Sequence, residues 1–262
     1  MKRALIIAQG LLMAFVAFII VSFIYTIATS IFILITGIED VNPQIDYCLM
    51  VMAVMVAIIL FYLWYRRYAV KGDIEQVEIK DIVTLKNMGI YLMMGIGCQL
   101  FVSGILSLLR PLFQTLFSYY DETISSLFVA DTIIVAVYVI ILAPIIEELM
   151  LRGIMFNRLR QGISFILANI LQAAVFGIYH WDIVQGLYAF GLGLLLGYVY
   201  ERTRTLIAPI IVHVFINGLG FLLQWLHLGQ YIPIWLAIVA GGGLLFGAIY
   251  LFYKSTNFIH KI

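Results

Sequence analysis

The stretch ALIIAQGLLMAFVAFIIVSFIYTIATSIFILIT, residues 4–36, contains no charged side chain. A helix crosses a bilayer with roughly 20 mostly apolar residues, so this run is long enough to span and to tilt or protrude as well. It follows Met1-Lys2-Arg3, as the apolar part of a signal peptide would. A signal h-region, however, is only about 7–15 residues long, so the run is expected to be a retained first span.

Working outward, seven more segments qualify: about 46–65, 88–109, 131–151, 164–180, 183–200, 206–228 and 232–253, after a first span at about 5–35. The composition agrees. The chain is 64% hydrophobic and 11% charged, whereas soluble domains carry about 25% charge. The fold class expected is all-α: a polytopic membrane helix bundle of about eight transmembrane helices, forming a single membrane domain over 1–262. The loop from Arg66 to Lys86 alternates charged and apolar residues and is expected on the membrane surface, and the aromatic stretch 111–130 in the opposite interface. Gly193 and Gly197 form a GxxxG pair, read as close helix packing. Cys48 and Cys98 form no CxxC pattern and are read as small apolar residues.

Charge sets the expected orientation. With the N-terminus inside and eight spans, every lysine and arginine except Arg110 falls on the inner side. Cytoplasmic loops are the basic ones, so both termini are expected in the cytoplasm and the protein in the plasma membrane. The net charge of +1 and the lack of a basic cluster point away from nucleic acid as a partner.

An ionisable group inside a span costs about 2.5–3.5 kcal/mol on insertion scales. Here such groups concentrate in three segments: Glu147, Glu148 and Arg152 in the fourth span, His180 at the end of the fifth, and His213 with Asn217 in the seventh. Glu148 and Arg152 are four residues apart, in the favourable order for an ion pair. Glu147 points about 100° away, which leaves its carboxylate available. His213 and Asn217 share a helix face. The midpoint of Glu147 and His180 falls beside Gln161-Gly162, so a hairpin turning there sets both at one depth. The depth of His213 agrees if the hairpin tip projects about 9 Å into the cytoplasm. Pro144 removes one backbone hydrogen bond just before Glu147 and is expected to kink the helix.

Taken in order, Glu147-Glu148-x-x-x-Arg152, Phe176-x-x-x-His180 and His213-x-x-x-Asn217 resemble the three motifs of the CAAX protease and bacteriocin-processing family, the type II CAAX prenyl endopeptidase relatives also called abortive-infection proteins. The resemblance covers about 131–225, the expected catalytic core. It implies an eight-helix intramembrane endopeptidase in which Glu147 and His180 activate water and His213 and Asn217 bind the oxyanion. Glu148, Arg152 and Phe176 would be structural support.

The chemistry suits the residue types. Amide hydrolysis needs a base for water and donors for the developing oxyanion. The motifs contain no Ser or Cys nucleophile. No cofactor is favoured. Zinc held by Glu147, His180 and His213 is the competing mechanism, although the HExxH spacing of soluble zinc proteases is absent. The partners implied are the bilayer and a peptide or protein substrate at the membrane; in a bacterium these would be peptide pheromones, bacteriocin precursors or membrane-protein tails. Two other classes compete. A transporter also uses buried Glu and His, but its polar helices usually recur in both halves. A non-proteolytic binding protein, for bacteriocin immunity or sensor-kinase regulation, would not require the motifs intact.

Overall fold

The computed structural model describes residues 2–68, 78–127 and 132–256. Residues 69–77 of the 66–86 loop, Lys71 among them, lie outside the described residues, as does Lys261. Among the described residues there is no strand. Ten helices follow in order: α1 (Lys2–Thr36), α2 (Pro43–Tyr68), α3 (Ile79–Ile82), α4 (Leu85–Leu109), α5 (Gln114–Leu127), α6 (residues 132–160), α7 (Phe165–Tyr179), α8 (Ile183–Thr203), α9 (Ile207–Trp225) and α10 (Ile234–Thr256). Seven of them, α1, α2, α4, α6, α8, α9 and α10, are long and apolar enough to cross a membrane. The chain is an integral membrane protein, a polytopic helical bundle.

Each of the eight expected spans holds a helix, and the fifth is unusual. At 15 residues, α7 rises only about 22 Å, less than the roughly 30 Å hydrocarbon core. Local signals set its ends. The Ser164 side chain accepts from the Leu167 N–H at its start. At its far end the chain reverses in a tight turn, with Trp181 at φ +58° and Asp182 capping α8 through the Gln185 N–H. Arg204 and His227 end α8 and α9 with the same left-handed geometry. Such a conformation costs a non-glycine residue roughly 1–2 kcal/mol, the penalty of short connections here.

Small residues let the helices approach closely. A Cβ on Gly193 would lie 2.8 Å from the Ala173 backbone of α7, so α7 and α8 touch along the GxxxG face. Gly97 and Gly241 do the same for α4 against α10. The outer faces of α1 and α2 show large apolar residues, Phe15, Phe23 and Ile59 among them, where lipid would lie.

Within the 111–130 stretch, of which 128–130 lie outside the described residues, Gln114–Leu127 forms α5, which lies against the start of α8. Tyr120 packs edge-on to Tyr188, and Phe117 to Tyr120. Arg110 donates to both oxygens of Asp121, at 2.5 and 3.0 Å, and stacks on Phe117. This end of the bundle is opposite the α6–α7 turn, where Arg160 and Arg204 pair with Glu201.

Candidate active site

The site is built on α6, which is not a uniform helix. Wide π turns at Tyr138–Leu142 and Leu149–Phe156 flank a short α segment, Ala143–Glu148. Such insertions occur mostly where a helix must re-aim side chains. Pro144 opens the α segment, and the two glutamates close it.

Glu148 and Arg152 are both wholly buried. Arg152 Nη1 donates to Glu148 Oε1 at 2.9 Å, Nη2 donates to the Gly193 carbonyl at 3.1 Å, and the guanidinium lies 5.1 Å from the Phe176 ring centre. Gln172 also donates to Gly193, at 2.8 Å, and to Asn169. Unpaired charges could not persist at this depth, so each member of the layer depends on the others.

His213 links this layer to the cavity above it. Its Nδ1 lies 2.9 Å from Glu148 Oε1, an acceptor, so Nδ1 carries the proton and donates. Its Nε2 is thereby turned toward Glu147, 3.6 Å from Oε2. Phe176 packs edge-on to His213 at 5.8 Å and tilted to His180 at 5.0 Å, so one ring holds both imidazoles in place. One turn beyond His213, Asn217 Nδ2 donates to the Val139 carbonyl at 3.0 Å.

Glu147, Phe176, His180, His213 and Asn217 line one cavity of about 860 Å³, whereas Glu148 and Arg152 do not reach it. The sequence reading names these five residues but misses much of the wall. Gln99 and Ser103, a hydrogen-bonded pair on α4, face the cavity, as do Tyr138, Tyr188, Gln185 and Gln224. Gln99 and Ser103 could have been found: they are polar residues four apart in a largely apolar span. The cavity extends to exposed Arg110, His227 and Gln230 at the α5 end of the bundle. An apolar groove of about 680 Å³ between α4, α5 and α8 adjoins it, sharing Cys98, Val102 and Leu192.

Among the described residues, no three His, Cys, Asp or Glu side chains converge in a way that could hold a metal ion. Glu147, His180 and His213 share the cavity but do not form the three-ligand set that zinc needs. Cys98, Ser103 and Ser107 also face the cavity. Among the described residues none is hydrogen-bonded to a histidine or carboxylate, the arrangement that activates a nucleophile.

Residues 129–219 match the family model described as Type II CAAX prenyl endopeptidase Rce1-like. The resemblance carried by the three motifs is borne out over that stretch. Over 84 residues the chain is 31% identical to YdiL of Bacillus subtilis (strain 168), described as a candidate membrane peptidase; the match covers 32% of this chain and 34% of that protein. Over 96 residues it is 30% identical to the Membrane-embedded CAAX protease MroQ of Staphylococcus aureus (strain USA300), covering 34% of this chain and 39% of that one. The chain thus matches about a third of the length of these relatives. No solved structure matches it at a significant level.

Proposed function

We propose that this chain, with an Rce1-like type II CAAX prenyl endopeptidase segment at its core, is an intramembrane endopeptidase that hydrolyses a membrane-associated peptide or protein tail with Glu147-activated water. One observation carries the reading: of two adjacent glutamates, one is locked into a sealed ion pair and the other opens on a cavity with His180, His213 and Asn217. A carboxylate kept out of an available ion pair suits a base better than a structural element.

In this reading a water sits between Glu147 and His180. Glu147 accepts its proton as the oxygen bonds to the scissile carbonyl carbon. The developing oxyanion accepts from the second N–H of Asn217 and from the Nε2–H of His213, whose ring is anchored through Nδ1 on Glu148. As the C–N bond breaks, the leaving nitrogen takes the proton held by Glu147, relayed by His180. The products are a carboxylic acid and an amine, and no covalent intermediate is needed. The adjoining apolar groove supports a substrate with a hydrophobic segment.

The decisive experiment is peptidomics of membranes from cells carrying the wild type or Glu147→Ala. Peptides that appear only with the wild type identify the substrate; identical peptide sets overturn the reading.

The mouth of the cavity is at the end opposite the basic α6–α7 and α8–α9 turns. With basic loops in the cytoplasm, the site opens on the non-cytoplasmic face of the plasma membrane. In intact cells an impermeant maleimide should label Gln230→Cys and spare Lys80→Cys, both exposed positions. The reverse pattern inverts the topology.

A further inference from the structure

Pro144 is three residues before Glu147 and lies buried against the bundle. It follows the π turn Tyr138–Leu142, in which a carbonyl pairs with the N–H five residues on. The Tyr138 carbonyl accepts from the Ala143 N–H in this way. By the same register the Val139 carbonyl should take its donor from residue 144, and proline has no N–H. An unpaired carbonyl within a span is costly, because lipid offers no donor. Here the donor is Asn217 Nδ2, at 3.0 Å from across the helix interface.

This bond constrains Asn217 in two ways. The carbonyl acceptor determines which end of the amide is nitrogen. It also uses one N–H of two, leaving the other for the cavity that both Val139 and Asn217 line.

We propose that Pro144 is a positioning residue for Asn217: its missing N–H hands the Val139 carbonyl to the asparagine, which thereby aims its second N–H at the reacting carbonyl. The functional half of this inference rests on the endopeptidase reading, and the geometric half does not.

The test is a double-mutant cycle between Pro144→Ala and Asn217→Ala in one detergent, scored for melting temperature and for turnover of a reporter peptide. Pro144→Ala supplies the absent N–H, so the Val139 carbonyl no longer depends on Asn217. Asn217→Ala should therefore lower the melting temperature clearly in the wild-type background and by much less beside Pro144→Ala. In turnover, Pro144→Ala alone should lower kcat about tenfold, part of the roughly 10²–10³ that losing an oxyanion donor costs, with KM nearly unchanged. The double variant should be no slower than Asn217→Ala. If alanine loosens the buried site, Pro144→Val supplies the same N–H with more of the ring's volume. Equal melting losses from Asn217→Ala in both backgrounds overturn the geometry. Coupled melting losses with independent kcat losses overturn the positioning role. If the wild type cleaves nothing, the melting cycle still reads the geometry, and the peptidase reading alone has failed.

Discussion

The last two residues of the short α segment in α6 present the same chemistry in different surroundings. Glu148 and Arg152 belong to a wholly buried layer, where Glu148 Oε1 accepts from Arg152 and His213 and Arg152 also donates to the Gly193 carbonyl. Glu147, the preceding residue, belongs to a layer that opens on some 860 Å³ of cavity and makes one loose polar contact, at 3.6 Å. A sealed layer can hold geometry but cannot meet a substrate. An open layer can meet a substrate but cannot hold its own geometry. Here the first supplies the geometry for the second, because His213 and Phe176 belong to both.

The comparison predicts opposite responses. Glu147→Gln keeps the volume and removes the proposed base. Turnover of a reporter peptide should fall about 10²–10⁴-fold, the usual contribution of general base catalysis, while the melting temperature holds or rises. Normal cleavage by Glu147→Gln beside a folded but inactive Glu148→Gln would assign the roles to the wrong carboxylates. Arg152→Ala should do the reverse. It strands Glu148 in a wholly buried site, which costs about 3–5 kcal/mol, so expression and melting temperature should collapse, with activity following. An Arg152→Ala protein that melts like the wild type would mean the layer is not sealed.

A milder substitution probes the sealed layer without removing a charge. A Cβ on Gly197 would collide with Asn169 Oδ1 and lie 2.6 Å from Gln172 Nε2, pressing on the amide that shares the Gly193 carbonyl with Arg152. Gly197→Ala should cost about 1–3 kcal/mol in thermal melting and leave kcat of the folded fraction unchanged. A drop in kcat with no loss of stability would show that the two layers are not separable. The smallest effect expected is from exhaustive chelation of the purified protein, which should leave turnover intact. Loss on chelation with recovery on added zinc would move Glu147, His180 and His213 into ligand roles and rearrange the open layer.

The sequence by itself determined the helical membrane fold, the place of the eight helices expected as spans and the grouping of polar residues. Each depends on a local property: the length of an apolar run, a charge within it, or a spacing on one helix face. The separation of the two glutamates was legible for the same reason, since adjacent residues on a helix point about 100° apart. Only the tertiary structure decided the rest. That His213 turns its Nδ1 to Glu148 and its Nε2 to Glu147 depends on how α9 packs against α6. The polar wall contributed by α4, with Gln99 and Ser103, comes from a helix outside the three motifs. Pro144 signals a missing hydrogen bond in the sequence, but the π register that transfers the loss to Val139, and the Asn217 that answers it, are set by contacts between helices 78 residues apart in the chain.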